Sequence, residues 1–274
     1  MAVCKVCFRH CDIGEGKTGA CKARTCRDGK VVSGNYGRYT SLALDPIEKK
    51  PLARFYPGSM ILSYGSYGCN LFCPFCQNCD ISRSDGSEFE ETITPEHLAF
   101  LADKYRAKGN IGIAYTYNEP LIAYEFIRDT GRLVKEMGMK NVLVTNGTAE
   151  SEIIEEIIPY TDAMNIDLKS MSEKTYSEVL GGDLNTTKAF IERAAEDCHV
   201  ELTMLIVPGM NDTEEEMREA SSWIAGLSDE IPFHISRFFP RYKMNDRGPT
   251  DVARIYALAD IAREKLKYVY TGNC

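Results

Sequence analysis

Long hydrophobic runs are absent from this 274-residue sequence. No stretch approaches 18 consecutive apolar residues, which argues against a membrane-spanning helix, and the first ten residues lack the apolar run of a signal peptide. We therefore expect a cytoplasmic protein with no membrane partner. Basic residues are also scarce, since 32 Lys and Arg stand against 40 Asp and Glu and give a net charge of -8. A basic nucleic-acid-binding surface is not expected, so nucleic acid is not a predicted partner.

Cysteine, in contrast, is abundant, and nine of the eleven cysteines fall into two clusters. In a chain expected in the reducing cytosol, such clusters indicate metal ligands or reactive thiols rather than disulfides. The first cluster comprises Cys4, Cys7, Cys11, Cys21 and Cys26, and the second comprises Cys69, Cys73, Cys76 and Cys79.

Apolar runs of strand length alternate with amphipathic stretches of helical length from about residue 60 onward, a pattern typical of repeated β/α units around a parallel sheet. We predict an α/β fold in which residues 61–274 form this sheet. Residues 1–60 have Gly-rich turns and no convincing helix, so we predict a small, β-rich, metal-binding module there. The six predicted strands begin at Met60, Ile111, Asn141, Ala163, Val200 and Phe233.

Polar or glycine residues follow each predicted strand. In β/α folds the functional groups collect at the carboxyl ends of the strands, so these segments predict the rim of an active site. The rim segments are 68–69, 117–120, 145–147, 167–169, 208–212 and 234–237.

The second cysteine cluster follows the first predicted strand with the spacing Cys69-x3-Cys73-x2-Cys76. Three thiolates suit an iron-sulfur cluster that keeps one iron open, and Gly68 can relieve backbone strain where the thiolates converge. A structural zinc site would require four ligands, and Cys79 could supply one of them, so this alternative stays open.

The run from Gly68 to Asn78, GCNLFCPFCQN, resembles the cluster loop of radical S-adenosylmethionine enzymes. The resemblance implies that Cys69, Cys73 and Cys76 hold a [4Fe-4S] cluster whose fourth iron binds S-adenosylmethionine, with Phe75 near the adenine. Further segments resemble the branch related to pyruvate formate-lyase activating enzymes and labelled AmmeMemoRadiSam system proteins. These segments are residues 45–51, 115–120, 234–240 and 268–273. The resemblance implies an incomplete (β/α)6 barrel.

The same resemblance assigns cofactor contacts at the rim. Asn118 and Glu119 stand where the family has a Gly-Gly-Glu-Pro segment that holds the methionyl amino group; on pattern alone, Glu119 is an acid at a helix start. Asp167 and Lys169 match an Asp-x-Lys pair that contacts the ribose and the carboxylate of the cofactor. Residues i and i+2 of a strand share a face, so both can reach one ligand, although a surface ion pair is the alternative.

Three further rim residues have a functional and a structural interpretation. Gly209 matches the glycine-bearing segment that supports the adenine, and otherwise it marks a turn. His234 matches a histidine that contacts the cofactor in activating enzymes, and otherwise it packs at the end of a strand. Arg237 is a candidate for binding an acidic group of the substrate, with surface pairing as the alternative.

Four cysteines of the first cluster form a strong metal-site pattern, Cys4-x2-Cys7-x3-Cys11-x9-Cys21. We favour zinc because four ligands close a structural site. A second [4Fe-4S] cluster is also compatible with four thiolates beside a redox site. Cys26 is then a spare thiol or an alternative ligand.

We predict a radical S-adenosylmethionine enzyme of the activating-enzyme-like branch. A flavodoxin- or ferredoxin-type reductant would reduce the cluster, S-adenosylmethionine would be cleaved to methionine and a 5'-deoxyadenosyl radical, and the radical would abstract a hydrogen from the substrate. That substrate is a small molecule, a peptide or a protein; in an activating enzyme it is a glycine of a partner protein. The rival from another class is a non-catalytic iron-sulfur electron carrier or a zinc scaffold, which explains the cysteines but not the rim.

Overall fold

The computed structural model describes residues 1–274 and contains twelve strands and seven α-helices. The strands are β1 (Ala2–Val3), β2 (Asp12–Ile13), β3 (Arg24–Arg27), β4 (Lys30–Ser33), β5 (Ser41–Pro46), β6 (Met60–Gly65), β7 (Asn110–Thr116), β8 (Lys140–Thr145), β9 (Ala163–Asp167), β10 (His199–Ile206), β11 (Phe233–Arg237) and β12 (Val269–Gly272). The helices are α1 (Cys79–Ser82), α2 (Pro95–Lys104), α3 (Tyr124–Glu136), α4 (Ser151–Ile157), α5 (Leu184–Asp197), α6 (Glu214–Leu227) and α7 (Val252–Arg263). A single π-helical segment, Thr175–Leu180, precedes α5.

Eight strands form the main sheet in the order β12-β11-β10-β9-β8-β7-β6-β5. All neighbours pair in parallel except β5, which runs antiparallel to β6. Each strand from β6 to β11 is followed by helix, which gives six β/α units. The predicted α/β fold and its six strands are therefore confirmed, and β5 and β12 are two strands that the sequence patterns did not reveal.

Helix α2 illustrates how the sequence sets the element boundaries. Thr94 has an extended backbone, its hydroxyl accepts a hydrogen bond from the His97 amide at 3.2 Å, and Pro95 occupies the first helical position. Leu98, Ala99 and Ala102 then turn one face of the helix into the core. None of the helices combines the length and apolar character that a membrane span needs.

The first 60 residues contribute to both small sheets and the main sheet. Two antiparallel pairs, β1–β2 and β3–β4, form separate two-stranded sheets. Strand β5 belongs to the main sheet, because it pairs with β6 along its whole length. The Glu150 amide donates to the Val6 carbonyl at 3.0 Å, and the Arg24 guanidinium lies 2.7 Å from the Glu125 carboxylate. These contacts fasten the N-terminal region to the loop before α4 and to α3.

Candidate active site

A cavity of about 380 Å³ opens at the carboxyl edge of the main sheet. Its lining comes from the cysteine loop after β6 and from the ends of five further strands, β7 to β11. It contains eight of the residues predicted from the sequence, namely Cys69, Cys73, Phe75, Cys76, Asn118, Glu119, Asp167 and Lys169. A larger hollow of about 690 Å³ beside the β3–β4 hairpin contains none of them. The cavity at the strand ends is therefore the candidate active site, because it contains the predicted functional side chains.

Three half-buried thiols of the cysteine loop line this cavity. Burial raises the pKa of Cys73 to about 11 and also raises the pKa of Cys69, so without a metal both thiols are protonated at neutral pH. Buried thiols become strong anionic ligands when a metal displaces their protons. The three thiols also lie close enough to interact electrostatically, Cys69 with both Cys73 and Cys76, and Cys73 with Cys76. The three side chains therefore fit an iron-sulfur cluster.

Asn118 holds the beginning of the cysteine loop. Its side-chain carbonyl accepts from the Ser66 amide at 3.1 Å, and its amide group donates to the carbonyls of Tyr67 and Gly68, both at 3.1 Å. All of its polar atoms are used within the protein, so this side chain fixes the loop to the end of β7. Gly68 has φ +86, and a Cβ there would lie 2.5 Å from the Cys21 carbonyl oxygen, so only glycine fits.

Glu119 is a buried carboxylate, 3% exposed, at the floor of the cavity. It caps the helical turn that follows, because Oε1 accepts from the Leu121 amide at 3.0 Å, and it also accepts from the Thr145 hydroxyl at 2.7 Å. Oε2 accepts from the Asn146 amide at 2.8 Å. Burial raises the pKa of this carboxyl to about 7 despite those donors. Glu119 is thus a helix-start acid and also a cavity residue that a bound cation would keep ionised.

Asp167 and Lys169 meet at the end of β9, where the Lys169 ammonium lies 2.8 Å from the Asp167 carboxylate. Burial lowers the pKa of Lys169, but the attraction of Asp167 and Cys73 outweighs it and the net pKa is raised, so the ammonium stays charged. Its backbone carbonyl accepts from the Asn211 side chain at 2.8 Å. The pair faces the cavity and is not a surface ion pair, because the lysine side chain is only 15% exposed.

Phe75, a predicted site residue, is 4% exposed and lines the cavity. Several other residues of the cavity were not among the predicted site residues. Asn146 also lines it, and its amide donates to Asn70 at 2.9 Å beside the Cys69 thiol. Its position in a polar segment after a strand was the only signal available for it. Other lining residues that were not named as site residues are Thr116, Tyr117, Thr203, Ser236 and Asn273.

Three predicted rim residues are not brought into this cavity. Gly209 occupies an exposed turn with φ +73, where Asn211 rather than Gly209 contacts the site backbone. The Arg237 guanidinium donates to the Thr250 carbonyl at 2.7 Å and lies over the ring of Phe239. His234 hydrogen-bonds Glu201 at 2.6 Å and lines a neighbouring cavity.

Four N-terminal cysteines lie in one neighbourhood, namely Cys4, Cys7, Cys11 and Cys21. The Cys4 thiol interacts electrostatically with those of Cys11 and Cys21, and the Cys7 thiol with those of Cys4 and Cys21. Cys26 lies apart, and its thiol donates to Glu15 at 3.5 Å. Cys79 is buried beside Asp80 and does not line the cavity of the other three loop cysteines. No group of three or more Cys, His, Asp or Glu side chains is drawn together tightly enough to hold a single metal ion.

The model of the Radical SAM superfamily matches residues 63–221, which span the cysteine loop, Glu119 and the Asp167–Lys169 pair. This chain belongs to the Radical SAM superfamily. Membership implies a [4Fe-4S] cluster and S-adenosylmethionine, and the three cavity thiols fit that requirement. Membership in this superfamily thus supports the prediction that the protein is an enzyme.

Sequence relatives of the chain extend beyond the matched segment. It is 40% identical over 281 residues to an uncharacterized protein of Methanocaldococcus jannaschii, which covers 98% of this chain and 80% of the relative. It is 25% identical over 190 residues to the pyruvate formate-lyase 1-activating enzyme of Escherichia coli, which covers 65% of this chain and 75% of that enzyme. The predicted resemblance to pyruvate formate-lyase activating enzymes is confirmed, because such an enzyme is among the sequence relatives.

Solved structures have the same fold. A radical SAM methyltransferase from Sphaerobacter thermophilus superposes with a TM-score of 0.61 at 19% identity, covering 79% of this chain and 67% of that one. A domain of the pyruvate-formate lyase-activating enzyme from Bacteroides vulgatus gives a TM-score of 0.51 at 20% identity, covering 58% of this chain and 98% of that one. The incomplete (β/α)6 barrel is confirmed as the architecture.

Proposed function

We propose that this superfamily member cleaves S-adenosylmethionine reductively and abstracts a hydrogen atom from a substrate. One observation carries the proposal, namely that three loop thiols share a cavity with the Glu119 carboxylate and the Asp167–Lys169 pair. An electron carrier needs a fourth cluster ligand and has no use for a carboxylate and an ion pair facing the same cavity. The rim therefore favours catalysis over electron transfer or a zinc scaffold.

Cys69, Cys73 and Cys76 would hold the [4Fe-4S] cluster, and S-adenosylmethionine would bind beside it. When bound and reduced, the cluster supplies the electron that cleaves the cofactor to methionine and a 5'-deoxyadenosyl radical. The chain's own residues have to hold the cofactor in one orientation, because a misplaced radical reacts with the wrong C–H bond.

The charged cavity residues have complementary tasks. The Glu119 carboxylate would accept from the methionyl ammonium, and a pKa of about 7 means that the ammonium itself helps to ionise it. The Lys169 ammonium would bind the methionyl carboxylate, and Asp167 would accept from the ribose hydroxyls. Phe75 presents an aromatic face for the adenine, and Asn118 acts through the loop that it fixes.

The sequence predicts an N-terminal module of residues 1–60, but strand β5 within that range is part of the main sheet. We propose that the part of the module before β5 binds metal through Cys4, Cys7, Cys11 and Cys21. We propose zinc as its metal and a second cluster as the alternative, and the four thiols have to move closer together than they lie here to hold one zinc ion. Two contacts to the barrel support a structural role for this region, namely that of the Glu150 amide with the Val6 carbonyl at 3.0 Å and that of Arg24 with Glu125 at 2.7 Å.

We favour the role of the AmmeMemoRadiSam-like branch, since the segments that resemble this branch are spread from residue 45 to residue 273. The second candidate function is an activating enzyme that forms a glycyl radical on a partner protein, supported by 25% identity to a pyruvate formate-lyase 1-activating enzyme. Both require an external one-electron reductant of the flavodoxin or ferredoxin type.

The deciding experiment is anaerobic reconstitution with iron and sulfide, reduction by dithionite and measurement of 5'-deoxyadenosine formed from S-adenosylmethionine. The unaltered protein should form it, and Cys73→Ala should not. Cys198→Ala is the matched control, because Cys198 lies outside both cysteine clusters and its thiol contacts the Thr161 carbonyl. A reconstituted parent protein that holds four irons and forms no 5'-deoxyadenosine would contradict the proposed function.

A further inference from the structure

A second cavity adjoins the cofactor cavity. It has a volume of about 550 Å³, and Pro51, Ser236 and Asn273 line both cavities. Its walls are the turn after β5 and the edge strand β12. These are the two ends of the main sheet, so the cavity lies where the barrel does not close. We name it the lateral cavity; its volume is typical of a pocket for a small molecule.

His234 is the polar side chain of the lateral cavity that has a ring nitrogen to spare. Its Nε2 hydrogen-bonds the Glu201 carboxylate at 2.6 Å, and its ring stacks on Tyr270 with centroids 5.2 Å apart. Its Nδ1 makes no hydrogen bond within the protein. The two charged residues of the opposite wall are already engaged, since Lys49 pairs with Asp45 at 3.1 Å and Glu48 accepts from the Gly58 amide at 2.6 Å.

The Glu201 carboxylate holds the His234 ring in one orientation through the hydrogen bond to Nε2. This carboxylate is fully buried and also accepts from the amides of Ala53 at 2.9 Å and Arg54 at 2.8 Å. His199 donates to its other oxygen at 2.9 Å. A carboxylate on Nε2 places the proton of the neutral ring there and leaves Nδ1 as an acceptor that faces the lateral cavity.

We propose that the lateral cavity is the substrate site and that His234 is its proton-accepting residue. The substrate is a small polar molecule with an O–H or N–H group on the carbon whose hydrogen is abstracted. This inference rests on the proposed function, because the hydrogen atom leaves carbon with one electron and forms a C–H bond of 5'-deoxyadenosine. The carbon radical makes the neighbouring O–H or N–H more acidic. Its proton passes to Nδ1, and the bonding pair stays on the heteroatom.

Fully deuterated glycerol is a suitable probe, since each of its hydroxyls sits beside a C–D bond. Reconstituted, dithionite-reduced protein is given S-adenosylmethionine and this probe, and mass spectrometry measures the deuterium carried by each 5'-deoxyadenosine formed. His234→Gln should lower the deuterium fraction about fivefold, the loss expected for one hydrogen bond. His199→Gln is the matched control because it removes a donor from the same Glu201 but faces a different cavity, and it should leave the fraction unchanged.

Three outcomes would overturn the inference: no deuterium transfer in the parent protein, equal fractions in both variants, or a fall in total 5'-deoxyadenosine in His234→Gln with an unchanged fraction. The last result would make His234 a cofactor contact. Absence of any 5'-deoxyadenosine in the parent protein would instead overturn the proposed function.

A measurement on the unaltered sequence removes the dependence on variant folding. The chain has only four histidines, so protein labelled with carbon-13 at the histidine ring gives four resolvable signals in the oxidised, cluster-loaded form. Unlabelled glycerol should shift the His234 signal and leave those of His10, His97 and His199 in place. Equal shifts of all four signals, or no shift, would contradict a binding site at His234.

Discussion

Lys169 shows how a single side chain is prepared for an anionic ligand. Its ammonium is 15% exposed and pairs with Asp167 at 2.8 Å, and its backbone is held by Asn211 at 2.8 Å. The charge is therefore fixed in position before any ligand arrives, which reduces the entropy that binding must overcome. Because Lys169 supplies no cluster ligand, its role in cofactor binding is separable from iron retention.

Lys169→Met should weaken S-adenosylmethionine binding about ten- to a hundredfold and leave the iron content near that of the parent protein, because a charged hydrogen bond is lost while the thiols remain. Equilibrium dialysis against the cofactor and iron analysis measure the two quantities. Lys174→Met is the matched control, since Lys174 is 80% exposed and lies five residues away. Loss of iron in Lys169→Met with normal cofactor binding would assign Lys169 to the cluster loop instead.

The sequence was informative for Asp167 and Lys169 because residues two apart at a strand end share a face, and the two side chains do meet. The same rule could not place His234. It shares a face with Ser236 but lies two residues earlier, about 6.6 Å farther from the carboxyl edge at the usual rise of a strand. Ser236 lines both cavities and His234 only the lateral one. The depth of a side chain along a strand depends on the strand's register against its neighbours.

Among the elements, the cysteine loop depends on one side chain of the neighbouring β/α unit. Asn118 satisfies the Ser66 amide and the carbonyls of Tyr67 and Gly68, so the end of β7 holds the start of the loop after β6. No motif in the sequence indicated this role, because the partners are backbone groups about fifty residues away.

Asn118→Ala should reduce the iron retained after reconstitution while the sheet stays folded. Three backbone groups lose their partner, at about 1 kcal/mol for each hydrogen bond, and the thiols lose their alignment. Iron analysis and far-ultraviolet circular dichroism test the two parts. Asn245→Ala is the control, because the Asn245 amide bonds only the nearby Tyr242 carbonyl on the surface. Full iron content in Asn118→Ala would mean that the loop is held in place without this residue.

Glu201 joins three elements, because it lies on β10 and accepts from His234 on β11 and from the amides of Ala53 and Arg54 after β5. Burial alone would raise its pKa, but the donors outweigh burial and hold the pKa at about 2. A carboxyl pKa below its usual value means that the native state favours the ionised form. The stabilisation is present above about pH 4.5 and is lost as pH falls toward about 2.

This shift corresponds to about 3 kcal/mol, so the free energy of unfolding should fall between about pH 5 and about pH 3 more steeply in the parent protein than in Glu201→Gln. At neutral pH the variant should be less stable by about 3 kcal/mol, because two histidines and two amides lose a charged acceptor. Urea unfolding of the metal-free chain measures both. Glu196→Gln is the exposed control. Parallel pH curves for Glu201→Gln and the parent would show that Glu201 is not ionised as described.

Strands β5 and β12 were beyond the reach of sequence patterns for a physical reason. Strand β12 has four residues, Val269–Gly272, too few for a period of two to be distinguished from a turn. Strand β5 ends in Pro46, a residue that is uncommon inside strands. The six predicted strands, β6 to β11, have apolar interiors that are buried on both faces and are therefore recognisable from composition.

At the scale of the whole molecule, the N-terminal cysteines and the cluster loop are neighbours. The Arg9 guanidinium donates to the Asn70 carbonyl at 2.7 Å, directly after Cys69, and Gly68 packs against the carbonyl of Cys21. Cys7 also lies beside the Asn70 side chain. The superfamily match begins at residue 63, so the metal of the N-terminal site has to be identified by experiment on this region itself.

Single cysteine replacements separate the two sites. Cys73→Ala should abolish 5'-deoxyadenosine formation and keep both the fold and the proposed N-terminal metal, because Cys73 is only partly buried and most of the core residues come from the strands and helices of the barrel. Cys7→Ala should release zinc and lower the melting temperature of the N-terminal region, since a small module has little core of its own. Zinc and iron analysis, circular dichroism and the cleavage assay measure these effects.

The contact between Arg9 and the carbonyl next to Cys69 adds a second expectation for Cys7→Ala. When the N-terminal module loosens, this contact to the cluster loop is lost, so cofactor cleavage should persist at a reduced rate together with reduced iron retention. Cys26→Ala is the matched control, because Cys26 is equally buried but its thiol bonds Glu15 away from the other four cysteines. If Cys7→Ala instead removes about four irons per chain and the parent protein holds no zinc, the N-terminal site is a second cluster.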